Sequence, residues 1–308
     1  MMRVCFDSRP AADRRGIGRY ARCLLEGLLL VAADRDGEVV EGRHPRRDVD
    51  LFHSPWMTGA LLRPRVPMVV TVHDLVHQKR PGEHLRAGLR GGMRGLALAR
   101  ATRVIVPTHA VAGDAEEVLG LKAERIDVIA EAVASAFTPR PAEEVAAVRE
   151  RYAVPEDYLL WVGHLVHPDP HRRVVELVEA PREMPLVLVG AAGQWARELP
   201  GVILTGEVED DELAALYTGA HALVLPSEHE GFGLPAVEAL ACGTPVVASE
   251  GPSLREVLDG RATFVEAGDV SGLVAAAHSA RRPAPAPPAW TWDDAAAATW
   301  DVYERALG

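Results

Sequence analysis

Glu230 and Glu238 bracket the run Gly231-Phe232-Gly233-Leu234-Pro235-Ala236-Val237. An ionised carboxylate only accepts hydrogen bonds, so two of them suit a partner rich in donors, such as a sugar. Glycines let a backbone approach a ligand closely, and the free N–H groups at a helix start favour an anion, typically phosphate. The stretch therefore fits a hydroxyl-rich ligand that carries phosphate. Its neighbours explain how it is positioned. Ala222-Leu223-Val224-Leu225 is an apolar run short enough for a buried strand. A helix is predicted over 236–241, with Pro235 near its first position, where the missing N–H costs nothing. Strand, bend and helix together would aim both carboxylates into the crevice outside the strand's carboxyl end, where open α/β sheets bind ligands. The plainer alternative is an ordinary strand-to-helix turn with two surface glutamates.

Other stretches carry weaker chemistry. Arg3 to Phe6 reads as a first strand, and Gly16-Ile17-Gly18-Arg19-Tyr20 follows it before a helical pattern that runs through Leu30. A glycine turn there can cradle phosphate, although its spacing is not the dinucleotide fingerprint. Asp50 to Pro55 and Met68 to Asp74 read as strands that place His53, His73 and Asp74 at their polar ends. A histidine at a strand end is more often structural than catalytic. Arg86, Arg90 and Arg94 recur every four residues and would form one stripe on a helix. A solvated face is the ordinary reading of such a stripe, and a dock for an anionic acceptor or an acidic membrane surface is the functional one. Stacking aromatics are sparse, so nucleic acid is not indicated.

At 308 residues the chain exceeds one comfortable core, and two domains of about 150 residues are predicted. A hydrophobic content of 48% with 25% charged residues describes an ordinary globular protein. The opening residues read as a strand and not as a signal peptide, and no apolar run is long enough to span a bilayer. Cys5, Cys23 and Cys242 are an odd number without metal spacing, which suits a reducing cytoplasm. Residues 1–155 hold 24 basic and 20 acidic side chains, against 9 and 24 in the rest. Net charge does not decide phosphate binding, because local helix ends and arginines do. Lys79 and Lys122 are the only lysines, a bias that fits a high-GC bacterial genome.

Strands and helices alternate through both halves, which implies parallel doubly wound sheets. The linker is placed near Phe137-Thr138-Pro139-Arg140-Pro141, with a helix from Ala142 to Tyr152 leading into a second domain at about residue 155. A Pro/Ala segment at 282–288 precedes a closing helix that begins near Trp290.

Glu-x7-Glu around Gly-Phe-Gly-Leu-Pro, continued by Ala241-Cys242-Gly243-Thr244-Pro245-Val246-Val247-Ala248-Ser249, resembles the donor site of family-4 glycosyltransferases. Gly-Ile-Gly-Arg-Tyr, the His73-Asp74 strand end and the Val104-Ile105-Val106-Pro107-Thr108 run extend that similarity along almost the whole chain. The resemblance implies a retaining enzyme of the GT-B fold: two Rossmann-like domains facing a cleft, the nucleotide mainly on the second, with closure over the donor. The domains would be 1–154 and 155–289, and the helix at 290–308 would pack back on the first.

Roles follow from the same resemblance. Glu230 would hold sugar hydroxyls, Glu238 would bind the ribose, and His73 would stand beside the reacting carbon. Backbone at Gly231, Phe232, Gly233 and Leu234, with Gly16, Gly18, Gly163 and Gly190, would line the nucleotide sugar, and the base would rest near Val208. Arg19, His53 and Asp74 would face the acceptor. Relatives place Arg directly after the glycine of Tyr158-Leu159-Leu160-Trp161-Val162-Gly163, whereas His164 stands here. Their later lysine corresponds to Arg172, or to Arg173 if the loop is shifted by one. No metal or other cofactor is expected, since cations of the protein can replace Mg²⁺. The resemblance thus predicts transfer of a hexose-type sugar from a nucleoside diphosphate to an acceptor hydroxyl of a glycan, a lipid-linked precursor or a secondary metabolite. Rival readings are an epimerase or phosphorylase on the same architecture, and a non-catalytic partner subunit. The Glu-x7-Glu context argues against the epimerase, while His164 and the short N-terminal half support the partner subunit.

Overall fold

The computed structural model describes residues 1–13, 16–76 and 93–308. Two compact units form: Met1–Ala132 with Trp290–Gly308, and Val133–Ala289.

In the first unit, strands β1 (Met2–Phe6), β2 (Gly37–Glu41), β3 (Leu51–Ser54), β4 (Met68–Thr71), β5 (Arg103–Val106) and β6 (Ile126–Val128) form one sheet in the order β2-β1-β3-β4-β5-β6. Every pairing is parallel. Successive side chains on a strand point to opposite faces, and the core divides accordingly. Val4, Phe6, Leu51, Val69 and Ile105 pack on one side, while Cys5, Phe52, Met68, Val70 and Val104 pack on the other. Helix α1 (Gly16–Asp34) covers the first face with the C-terminal helix (Trp292–Leu307), and α2 (His109–Leu119) covers the second. The C-terminal helix is capped by Thr291, whose hydroxyl accepts from the Asp294 N–H at 3.1 Å. It lies against α1 where Gly27 leaves room: a Cβ there would stand 2.7 Å from the Ala296 methyl. Trp300 and Tyr303 are fully buried beneath it, and burying each large side chain contributes on the order of 2–3 kcal/mol.

The second unit holds α3 (Ala142–Arg151), β7 (Leu159–Val162), α4 (Val174–Glu179), β8 (Leu186–Val189), α5 (Gln194–Arg197), β9 (Val202–Gly206), α6 (Asp210–Gly219), β10 (Ala222–Leu225), α7 (Leu234–Ala241), β11 (Val246–Ser249), α8 (Pro252–Leu258), β12 (Thr263–Val265) and α9 (Val270–His278). Its parallel sheet runs β12-β11-β10-β7-β8-β9. Both sheets have helices on their faces, the doubly wound arrangement read from the alternation. The unit boundary lies earlier than the sequence placed it. Helix α3 belongs to the second unit because it packs on α6. Arg140, just before α3, donates to Asp211 at 2.6 Å, Tyr152 O–H donates to Glu212 at 3.0 Å, and Arg151 pairs with Glu212. A second difference is β2, an edge strand absent from the sequence reading. Its Gly37-Glu38-Val39-Val40-Glu41 is short, charged at two of five positions and only half-buried.

Candidate active site

All strands of the second sheet are parallel, so their carboxyl ends share one edge. β7, β8 and β9 are adjacent, and each reaches that edge on a glycine: Gly163, Gly190 and Gly206. Gly163 N–H donates to Val189 C=O and Gly190 N–H donates to Gly206 C=O, both at 2.9 Å. A side chain at Gly190 would overlap the Gly163 carbonyl, and its φ of +139° is glycine's territory. At Gly163 a Cβ would sit 2.9 Å from Arg172 Nη1, so the guanidinium lies directly on this glycine floor.

Beside the floor, β10 runs into the loop 226–233. Gly233 closes that loop with φ +90° and ψ +46°, and α7 begins at Leu234 with Pro235 in its first turn. No side chain caps the helix start; Ala236 N–H donates to Gly233 C=O at 2.8 Å, and Val237 N–H reaches the same carbonyl at 3.4 Å. The positive end of α7 is thus left to a ligand. Phe232 and Leu234 bury their side chains, so what they offer is backbone. Glu230 is half-buried and has no hydrogen-bond or ion-pair partner among the described residues.

Two segments carry the polar groups, and they are tied together. Glu228 N–H donates to His171 C=O at 2.9 Å, and Arg173 pairs with Glu228 and lies 3.5 Å from Glu176. The two arginines differ in how they are held. Arg173 is engaged by two carboxylates, whereas among the described residues Arg172 has only Asp169 at 3.4 Å as an ion-pair partner and is one-third exposed. Arg172 is the cation on the glycine floor. His164 follows that floor, half-buried, and Val208 sits half-buried between Gly206 and the capping box formed by Glu209 and Glu212.

Glu238 requires a correction. The spacing predicted both glutamates facing the crevice, but Glu238 is fully buried and accepts from Tyr217 O–H at 3.0 Å. It lies on the face of α7 toward α6, where burial and its carboxylate push the Cys242 thiol up to about 12.

In the first unit, several predicted site residues are built into the scaffold. His53 is fully buried; its Nδ1 meets Tyr303 O–H at 2.6 Å and its Nε2 meets Thr71 Oγ1 at 3.0 Å. Burial lowers its pKa to about 3, so the ring is neutral. It ties the sheet to the C-terminal helix and does not face an acceptor. Arg19, expected to face the acceptor, is only 6% exposed. Gly18 is a packing position: a Cβ would overlap Asp13 C=O and stand 2.8 Å from Pro10 C=O. Gly16 opens α1. Asp74 is half-buried and makes no hydrogen bond to a described residue.

His73 lies two residues beyond β4. Its Nδ1 meets Glu131 Oε1 and its Nε2 meets the Pro55 carbonyl, each at 2.9 Å, and the Tyr20 ring abuts it edge-on at 4.5 Å. Sequence reasoning missed Glu131, which lies in the segment after β6 and pairs with a residue 58 positions away. It also missed Asp7, fully buried at the end of β1, which accepts from Arg9 Nε, Arg9 Nη2 and Trp56 Nε1 at 2.6–3.1 Å. A carboxylate directly following a strand was the available signal. Arg94 is exposed, and Arg86 and Arg90 lie outside the described residues. Among the described residues no three His, Cys, Asp or Glu gather as a metal cluster, and no helix is long and apolar enough to cross a membrane.

A family model described as Glycosyl transferases group 1 matches residues 156–280, and one described as Glycosyltransferase Family 4 matches residues 38–136. The D-inositol 3-phosphate glycosyltransferase of Xylanimonas cellulosilytica is 32% identical over 83% of this chain and 72% of its own. The chain belongs to glycosyltransferase family 4. A second relative of this glycosyltransferase is the MMP alpha-(1->4)-mannosyltransferase of Mycolicibacterium hassiacum, 30% identical over 97% of this chain and 74% of its own. Among solved structures, Anabaena HepE in complex with UDP-glucose superposes with a TM-score of 0.69 at 17% identity, covering 99% of this chain and 95% of that one. Sucrose-phosphate synthase from Thermosynechococcus elongatus gives 0.71 at 19% identity, covering 99% and 94%. Both similarities are of fold, and they identify the pair of sheets as GT-B. The first family model spans Gly163 to Glu238, and the second spans His53, His73 and Glu131. Gly16 to Arg19 fall outside both.

Proposed function

We propose that this glycosyltransferase moves a hexose-type sugar from a nucleoside diphosphate to an acceptor hydroxyl with retained anomeric configuration. One observation carries the donor assignment. An unpartnered carboxylate, Glu230, an uncapped helix start and a lightly held arginine, Arg172, share the carboxyl edge of one sheet above a floor of glycines. The anionic diphosphate is served by Arg172 and the start of α7, which stabilise charge as the leaving group departs. Arginine can hold two phosphate oxygens at once, where lysine acts as a point charge. Glu230 accepts hydrogen bonds from sugar hydroxyls and orients the ring. The base rests on backbone near Val208. With positive charge supplied by protein groups, no metal is called for. No dedicated nucleophile is evident in the sequence, which favours same-face displacement with the departing phosphate taking the acceptor's proton.

The relatives named as mannosyl and inositol-phosphate enzymes, and the neighbour bound to UDP-glucose, support a nucleotide sugar as donor. An acceptor hydroxyl on a glycan, a lipid-linked precursor or a secondary metabolite is consistent with these names. Three free thiols fit a reducing cytoplasm, and exposed Arg94 is available for a peripheral contact with an acidic membrane face. The test has two stages. Thermal shifts with UDP, GDP, ADP and TDP identify the base, because a ligand that binds only the folded state raises apparent stability. Release of that diphosphate from the matching nucleotide sugars is then followed in wild type and Glu230→Ala. Stabilisation by one diphosphate, with turnover lost in Glu230→Ala, is the expected result. Binding without turnover across glycan, lipid and small-molecule acceptors would favour a partner subunit instead.

A further inference from the structure

We infer that Glu131 is a positioning residue that keeps His73 as a doubly donating imidazolium, and that this cation fastens the loop after β3 to the end of β4. The inference rests on the transferase reading only for its effect on turnover.

The geometry decides the charge. A neutral imidazole has one N–H and one bare nitrogen, so it satisfies one acceptor and one donor. Both partners of His73 are acceptors: the Glu131 carboxylate at Nδ1 and the Pro55 carbonyl at Nε2, each at 2.9 Å. A carbonyl cannot donate. With Glu131 ionised, a neutral ring would leave one nitrogen lone pair against an oxygen in a site where the two side chains are 14% and 4% exposed. The imidazolium satisfies both contacts.

The groups around the ring agree. Burial opposes the charge, but the Glu131 hydrogen bond and charge, the Pro55 carbonyl and the neighbouring Asp74 carboxylate together raise its pKa above the ordinary value. From β3, His53 is neutral and adds no competing cation. From α1, Tyr20 presents a ring edge, and its hydroxyl is engaged with Thr71 at 3.0 Å. Three segments thus meet on one ring: the ends of β3 and β4 and the segment after β6. With both nitrogens occupied, His73 is not a general base. Its contribution is to hold the backbone of the 73–74 strand end in place, and Glu131 holds the ring.

The test uses the full chain labelled with ¹⁵N-histidine, with His73→Gln to assign the signal. In wild type both ring nitrogens are expected to be protonated at pH 6, with a titration midpoint above the ordinary 6.5. In Glu131→Gln the midpoint is expected to fall by about one pH unit or more, a roughly tenfold loss of proton affinity. A wild-type midpoint at or below 6.5, or one that Glu131→Gln leaves in place, would overturn the charge assignment. Turnover gives the second readout, using whichever nucleotide sugar the wild type consumes. Glu131→Gln is expected to lower kcat at least tenfold with KM changed less than threefold, and Glu131→Asp to recover part of it. An unchanged kcat with the titration shifted would overturn the positioning role. The NMR measurement needs no donor, so it stands whether or not the transferase reading does. Retained amide dispersion in each variant confirms that a folded chain is being compared.

Discussion

The two sheets present opposite kinds of carboxyl edge. In the first unit the polar groups there are wired to one another: Asp7 to Arg9 and Trp56, His73 to Glu131 and Pro55, His53 to Tyr303 and Thr71. In the second unit, Glu230 has no partner among the described residues, Arg172 only a 3.4 Å contact, and α7 no cap. A buried polar group without a partner is costly, and these groups of the first edge satisfy one another, Asp74 excepted. The second edge has groups in want of a ligand. Binding chemistry is therefore concentrated in one unit and preorganised structure in the other.

The comparison is broken most directly at Glu230. Removing a group that no other residue needs should leave folding intact and strip function. Glu230→Ala is expected to lower kcat/KM by on the order of 100-fold, about 3 kcal/mol, with the melting temperature unchanged. A large fall in melting temperature would show that Glu230 is structural after all. Arg172→Ala should come next, with a loss of about 10- to 100-fold that appears largely as weaker binding of the nucleoside diphosphate, measured by calorimetry. Arg173→Ala should instead loosen the loop by freeing Glu228, so its effect on diphosphate affinity should be smaller than that of Arg172→Ala.

How far these edges could be read from the sequence differs in the same way. The glycine-bend stretch was legible because its signals are local: an apolar run of four, two glycines, a proline in the first helical turn. The structure returns that strand at the predicted residues and starts α7 two residues early. Glu238 was misread because spacing gives the turn of a helix but not which face meets a neighbour; Tyr217 on α6 decides that. The wiring of the first unit was out of reach for a related reason. His53 and Tyr303 are 250 positions apart, and His73 and Glu131 are 58 apart. A histidine at a strand end looks the same whether it faces solvent, a ligand or a distant tyrosine. Arg19 followed a glycine turn in the pattern of a phosphate loop, and only packing shows it buried. The difference between Arg172 and Arg173 likewise needed Glu228 in place.

At the His53–Tyr303 contact the order of effects should reverse, with stability lost and diphosphate binding untouched. Tyr303→Phe removes the hydroxyl that meets His53 Nδ1 and leaves a buried nitrogen without a partner. The expected cost is about 1–3 kcal/mol, seen in calorimetry as a melting temperature lower by a few degrees, with diphosphate affinity unchanged. A loss of diphosphate affinity equal to that of Arg172→Ala would abolish the distinction between the edges.

The smallest expected effect is the pH dependence that the His73–Glu131 pair imparts. The folded state raises the His73 pKa above its unfolded value near 6.5, so the folded chain binds this proton more tightly. Its contribution to stability is then fully present below about pH 6.5 and is lost as pH rises through the folded value. Because burial of the ring opposes the attraction of Glu131, the net slope should be modest. Urea unfolding at pH 6 and at pH 9 measures it, and Glu131→Gln should flatten the difference while leaving the rest of the profile in place. A pH difference that Glu131→Gln leaves unchanged would mean that His73 is neutral when folded, and the first unit's edge would then hold a nitrogen unmatched to its acceptor.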